Sequence, residues 1–213
     1  DLKEEIGGLM MIQGIEALME DPETRVIVLV SKPPSPSVEK KIFDLIKDSK
    51  KPVVIDFIGG DAELVKAAGA VPSFSLEDAA RKAVALLRGQ PVVDFDGFDA
   101  SEEEIGKLVD QAVAGLKPEQ KYLRALFTGG TLTDEAMKYL GEHYPIYSNI
   151  PMTPDRHIDK MTGRDGHICL DLGEDQYTRG RPHPMIDPQT RSDFFDSHID
   201  ETTGLVLVDV VLG

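Results

Sequence analysis

The run Val26-Ile-Val-Leu-Val30 constrains the fold more than any other segment. A continuous β-branched stretch without polar alternation reads as a strand buried on both faces, as in a parallel sheet. Val53–Ile58 and Leu205–Val211 read as buried strands of the same kind. Between the first two runs, Val38, Ile42, Leu45 and Ile46 fall on one face of a 3.6-residue period, the mark of a helix lying on a core. Strands alternating with helices predict an α/β chain whose parallel sheets are covered on both sides.

Turn and cap residues divide the chain. Residues 5–20 read as a helix. Leu9-Met-Met-Ile12 is apolar all round, which predicts burial, and Gly7, Gly8 and Gly14 suggest close backbone packing. Pro33, Pro34 and Pro36 break the chain, and Ser37 is placed to cap the next helix. Gly59-Gly60 ends the second strand, and a short helix runs to Gly69. Ser75 with Asp78 has capping-box spacing and opens a helix that closes at Arg88-Gly89. Residues 90–117 differ. They contain the acidic turn region 94–100 and a Ser101/Glu104-capped helix carrying Ile105, Leu108, Val109 and Val113, and they read as a connector. The alternation restarts with strands at Tyr122–Thr128, Tyr144–Asn149 and His167–Leu172, and helices at Thr131–Gly141 and within Asp187–Asp200. The expected division is a first lobe over 1–89, a connector over 90–117, and a second lobe over 118–213. Beginning at Asp1 and stopping just past a strand at Gly213, the chain reads as trimmed, with the second lobe incomplete.

The formal net charge is −15. Such a chain repels phosphate backbones, which argues against nucleic-acid binding, and an anionic ligand must be held by a local feature. No apolar run approaches the roughly 18 residues of a membrane span, and residues 1–8 do not resemble a signal peptide. The single Cys169 excludes an internal disulfide and points to a reducing compartment, the cytoplasm. Its apolar setting makes it a buried strand residue rather than a nucleophile.

Ligands of open α/β sheets gather beyond the carboxyl ends of the strands. Ser31-Lys32, Gly59-Gly60, Thr128–Thr131 and Asp171-Leu-Gly173 occupy such ends. The clearest signal is Thr128-Gly129-Gly130-Thr131, where glycine amides and the amino end of a helix favour a phosphate or carboxylate. A tight turn with Thr131 or Thr133 as a plain N-cap is the alternative. The second signal is the loop from Tyr177 to Pro188. Arg179 and Arg181 are candidates for gripping an oxyanion, His183 between two prolines for an acid or base, and Asp187 for orienting it or a substrate amide. A surface loop paired with nearby acids is the alternative. His157, His167 and His183 match no compact metal motif, and no P-loop, nucleophile elbow or dinucleotide fingerprint is present.

These residues also carry a resemblance. Asp-Leu-Lys-Glu-Glu-Ile-Gly-Gly at 1–8, Val-Ser-Lys-Pro-Pro at 30–34, Thr-Gly-Gly-Thr-Leu at 128–132, and Asp-Leu-Gly-Glu-Asp at 171–175 running into Gly-Arg-Pro-His-Pro-Met-Ile-Asp-Pro at 180–188 look like the FdrA family. That family resembles both chains of succinyl-CoA synthetase fused into one. The resemblance implies two flavodoxin-like, three-layer ligase lobes, the second truncated, with an upstream CoA-binding domain absent from the chain. It implies CoA and a nucleotide as co-substrates, compatible with Mg²⁺, and chemistry on an acyl phosphate. Carbamoyl transfer involving oxamate and carbamoyl phosphate in allantoin breakdown is the alternative. In the superfamily two glycine-led helices cradle a phosphorylated His. Residues 128–133 match one helix start and the helix at 5–20 the other. The place expected for the His reads Gly59-Gly-Asp-Ala-Glu-Leu-Val65, without one. A non-catalytic subunit that kept the fold is therefore a further alternative. The expected partners are a small acyl or carbamoyl phosphate and a carboxylate substrate, with no nucleic acid and no membrane. A homo-oligomer or partner subunits remain open.

Overall fold

The structure, a computed structural model, describes residues 1–158 and 165–211. The chain divides into two compact units, Asp1–Gly97 and Phe98–Gly213. Each is an α/β unit built on a wholly parallel sheet, consistent with the flavodoxin-like lobes expected.

The first unit runs α1 (Leu9–Glu20), β1 (Ile27–Ser31), α2 (Pro36–Ile46), β2 (Val53–Phe57), α3 (Ala62–Ala67), β3 (Val71–Pro72) and α4 (Leu76–Leu87). Its strand order is β1-β2-β3. Ile15 of α1 and Val38, Ile42, Phe43 and Ile46 of α2 pack on Ile27, Leu29, Val53, Ile55 and Phe57, while α4 packs on β1 and β2. All five residues of β2 are buried, as its apolar run predicts. β1 is an edge strand instead: Val28 and Val30 are 40% and 37% exposed, so it is not buried on both faces.

The predicted helix over 5–20 starts later, at Leu9, because Gly7 and Gly8 both take φ of 76°, outside the right-handed helix. The Asp1 carboxylate accepts from the amides of Met10 and Met11 at 3.2 and 2.9 Å and so caps this helix. The expected burial of its apolar start is overturned. Leu9 and Met10 are 62% and 70% exposed, since one side of the helix suffices to cover the core around Ile15. Close packing holds at Gly8, where a Cβ would lie 2.5 Å from Val38 Cγ1, but not at Gly14, which has open space. Ser35, not Ser37, is the N-cap of α2, with Pro36 in its first turn. Ser75 Oγ caps α4 by accepting from the Asp78 amide at 3.0 Å, as its spacing predicts.

Asp78 itself is buried and holds the segment that follows α4. Its carboxylate accepts from the amides of Phe74 and Phe95 at 3.0 and 2.9 Å and pairs with the buried Lys82 at 2.7 Å. Lys82 also pairs with Asp94 at 2.6 Å, and Arg81 lies 3.7 Å over the Phe95 ring. These contacts keep residues 94–95 on the first unit.

The second unit runs α5 (Glu102–Ala114), β4 (Tyr122–Phe127), α6 (Gly130–Gly141), β5 (Ile146–Tyr147), a 3₁₀ turn at Pro154–Arg156, β6 (His167–Asp171), α7 (Asp175–Thr178), α8 (Gln189–His198) and β7 (Thr203–Val208). Ser101 and Glu104 form a reciprocal capping box at α5, whose apolar Leu108, Val109 and Val113 stay exposed. The strand order is β5-β6-β4-β7. Leu123, Ala125 and Phe127 point to the face covered by Met137 of α6, and Leu126 to the opposite face with Ile168, Leu170 and Phe194 of α8. The predicted buried strand 205–211 is the edge strand β7, with Leu205 56% exposed, because it pairs on one side only. Arg124 is 2% exposed and sits at the amino end of β4, donating to the carbonyl of Gly166 at 2.7 Å. Burial lowers its pKa against the opposing pull of Asp200. No helix among the described residues is long and apolar enough to cross a membrane.

Two outcomes follow. Gly8→Ala forces a left-handed backbone and a methyl group into fully buried Val38, and should destabilise the fold by about 1–3 kcal/mol in urea unfolding. Cys169 is fully buried, and burial pushes its thiol pKa well above the usual range. A thiol reagent should therefore label it only after denaturation, and rapid labelling of the native protein would contradict this packing.

Candidate functional site

The second unit brings three carboxyl strand ends together. β4 lies between β6 and β7, so Thr128, Asp171 and Asp209 emerge side by side at one edge of the sheet. α6 follows β4 on one face and α8 follows β6 on the other. Connections leaving adjacent strands on opposite faces open a crevice at the carboxyl edge, the usual ligand position in such sheets.

Thr128 is buried, Gly129 is the extended N-cap of α6, and Gly130 is its first helical residue. The amides of Gly130, Thr131 and Leu132 lie in the first turn, where the helix itself offers them no carbonyl. Thr133, the other cap candidate, instead turns its hydroxyl back to the Gly129 carbonyl at 3.0 Å. The turn therefore has no side-chain cap of its own.

His183 comes close to this turn. A Cβ on Gly173 would lie 2.6 Å from His183 Nε2, 2.7 Å from the Thr128 carbonyl oxygen and 3.1 Å from Asp171 Oδ1. Only a glycine lets the β6 loop pass between these groups. His183 Nδ1 accepts from the Met185 amide at 3.2 Å, so the neutral ring carries its proton on Nε2, the nitrogen on the crevice side. Asp171 is buried, and its Oδ1 accepts from the Gly173 amide at 2.9 Å. Asn149 brackets the Asp171 backbone, donating to its carbonyl at 2.9 Å and accepting from its amide at 3.0 Å. Met185 Cε approaches the turn from the same loop, 3.4 Å from where a Gly129 Cβ would stand.

The two loop arginines go elsewhere. Arg179 is 83% exposed and lies 3.8 Å from Asp175, one helical turn back. Arg181 donates to Thr190 Oγ1 at 3.2 Å and stands 4.0 Å from Asp193, on α8. Asp187 caps the start of α8, its Oδ1 accepting from the Gln189 amide at 3.0 Å, while its own amide bonds the His183 carbonyl at 3.0 Å. It thus supports the loop's shape through backbone rather than through the imidazole. Among the described residues, the cation tied to the turn is Arg191, which acts through Asp209 and which the sequence pattern does not mark. Its Nη1 bonds the Asp209 carboxylate at 2.8 Å and the Asp209 carbonyl at 2.7 Å. Asp209 Oδ1 and Oδ2 accept from the Thr128 amide at 2.9 and 3.0 Å, and Oδ2 also accepts from the Thr128 hydroxyl at 2.8 Å. Asp209 follows a strand's carboxyl end, the position that drew attention in the other strands. Arg191 lies inside a polar helix and has no local signature.

Asp159 and Arg164, in the loop between His157 and His167, lie outside the described residues. Among the described residues no group of three or more His, Cys, Asp or Glu is placed to hold a metal ion.

Gly173→Ala should disturb this edge directly. One of the atoms in the way is the backbone oxygen of Thr128, so relief requires main-chain movement. We expect a loss of about 1–3 kcal/mol in denaturant unfolding, together with shifted His183 ring resonances. An alanine variant with unchanged stability and an unchanged His183 spectrum would contradict the packing described.

Comparison with known proteins bears on this unit. The CoA-ligase family model matches residues 126–213, a segment that contains the whole crevice. The entire chain is also 38% identical, over 215 aligned residues, to the uncharacterized protein YahF of Escherichia coli (strain K12). The chain spans 41% of the length of that relative. Residues 126–213 are thus similar to CoA-ligase, a match that supports a place in the succinyl-CoA synthetase-like superfamily.

Proposed function

We propose that the chain is the ligase-like part of an FdrA-type acyl-CoA synthetase, NDP-forming, that handles an acyl or carbamoyl phosphate. The observation that carries the reading is the Thr128-Gly129-Gly130 turn, which leads into α6 at the carboxyl end of β4 with His183 Nε2 beside it. A phosphate oxygen placed before α6 would meet first-turn amides and the positive end of the helix dipole. Amides whose direction is held need no reorganisation as charge develops on the phosphate, which is how such sites lower a barrier. In this reading the proton on His183 Nε2 is available to a phosphoryl or leaving-group oxygen. Thr128, Gly129, Gly130 and Thr131 then form the binding turn. Arg179 and Arg181 would reach a ligand only by leaving Asp175, Thr190 and Asp193, and Asp187 acts as a support. CoA and a nucleotide are the co-substrates that a CoA-ligase match implies. The lone cysteine fits a cytoplasmic setting.

One sequence fact favours a second reading. No His stands between Gly59 and Val65, and Asp61 there caps α3 by accepting from the amides of Glu63 and Leu64. Without a relay His in that place, a carbamoyltransferase acting on oxamate and carbamoyl phosphate, or a non-catalytic subunit, fits as well.

The test is titration of the chain with carbamoyl phosphate and with inorganic phosphate, followed through the amide resonances of Gly129, Gly130 and Thr131. Saturable shifts at these three positions are expected. Gly130→Val, which puts a branched side chain at the first helical residue, should weaken binding about tenfold or more, the loss of roughly one charge-assisted hydrogen bond. Shifts confined to other surfaces, or an affinity unchanged in a folded Gly130→Val protein, would remove the phosphate-handling readings. A carbamoyl phosphate affinity well above that for phosphate would favour carbamoyl transfer.

A further inference from the structure

We propose that Asp209 is a positioning residue for the binding turn. Locked by Arg191, it fixes Thr128, and through Thr128 the direction of the amides at Gly129–Thr131. The proposal rests on the reading of that turn as the phosphate site.

The argument begins with an electrostatic oddity. The Asp209 side chain is fully buried, and its Oδ2 lies 3.5 Å from the position of a Gly129 Cβ. A carboxylate this close to an anion site lowers the local potential, so charge alone would disfavour it. A buried carboxylate is also costly unless it is paired and hydrogen-bonded. Here both needs are met by named groups. Arg191 supplies the counter-charge at 2.8 Å, and Thr128 supplies an amide and a hydroxyl at 2.8–3.0 Å. The second bond from Arg191 Nη1, to the Asp209 carbonyl, ties the carboxylate and its own backbone to α8 at once.

These bonds have a geometric result. Thr128 is held by its main chain and its side chain at the same time, and cannot turn about either. The next two residues are glycines, the least restricted residues in the chain's repertoire, and the helix start has no side-chain cap. Asp209 therefore supplies the rotational constraint that the turn lacks. It does so from β7, a different strand, across the carboxyl edge of the sheet. Preorganised amides are effective only while their direction is held.

Charge and positioning predict opposite signs, which makes the proposal testable. Asp209→Asn keeps the shape, removes the negative charge and frees the charge of Arg191 beside the turn. If charge governs, phosphate binding tightens. If positioning governs, it weakens, because the amide nitrogen that replaces one oxygen no longer accepts from the Thr128 amide and meets the Thr128 hydroxyl only if that hydroxyl turns from donor to acceptor. We expect inorganic phosphate, titrated into the chain and read at the Gly129–Thr131 amides, to bind Asp209→Asn about fivefold or more weakly. Thr128→Val should weaken binding similarly, and Thr128→Ser, which keeps the hydroxyl, should restore it. Binding by Asp209→Asn equal to or tighter than the parent overturns the proposal, as does a Val variant that matches the Ser variant. Hydrogen exchange without ligand separates this from the functional reading. If the parent binds neither phosphate nor carbamoyl phosphate, the phosphate reading fails. Faster exchange at Gly129–Thr131 in Asp209→Asn and Thr128→Val, but not Thr128→Ser, then still supports positioning, and unchanged exchange overturns it.

Discussion

Parallel pairing of β4 with both β6 and β7 is the constraint on which the second unit depends. In a parallel sheet every carboxyl end falls on the same edge. Thr128, Asp171 and Asp209 are far apart along the chain, yet they have to meet there. The crossovers that parallel pairing requires place α6 and α8 on opposite faces and open the crevice between their starts. A glycine then stands where the backbone is crowded: Gly173 lets the β6 loop pass His183 and the Thr128 carbonyl.

Buried charge follows one rule in both units. Lys82 is held between Asp78 and Asp94, Arg124 caps carbonyl oxygens at the amino edge of its sheet, and Asp209 is held between Arg191 and Thr128. Each ion has partners that replace water, because an unpaired charge inside a protein costs several kcal/mol, on the order of the whole stability. The three clusters differ in place. The one at Asp209 lies on the ligand edge of its sheet, and Arg124 lies at the opposite end. The carboxylates at this edge, Asp171 and Asp209, are bonded to Gly173, Thr128 and Arg191, which leaves the first-turn amides of α6 as donors in a chain of formal charge −15.

The same physics explains where the arginines of the 177–188 loop went. Arg179 and Arg181 are surrounded by acids on short helices, and surface pairing with Asp175 and Asp193 is the nearest outlet for their charge. His183 behaves differently because the Met185 amide and the Asp187 amide fold its segment back on itself, which directs the ring to the crevice. Charge type alone did not distinguish these neighbours. The backbone turn did.

Local pattern was enough to determine the α/β class, the strands at β2, β4 and β6, the caps at Ser75 and Ser101, the burial of Cys169 and the glycine turn at 128–131. Each is set by periodicity, capping or backbone freedom within a few residues, so each is written in a short window of sequence. Tertiary structure decided the rest. It made β1 and β7 edge strands, because sheet order depends on which strands pair and not on their own composition. It started α1 at Leu9, because the left-handed Gly8 packs against Val38 from another helix. It also joined Asp209, Arg191 and Thr128, residues just past β7, on α8 and just past β4 that no local spacing connects, because parallel strands bring distant carboxyl ends to a single edge.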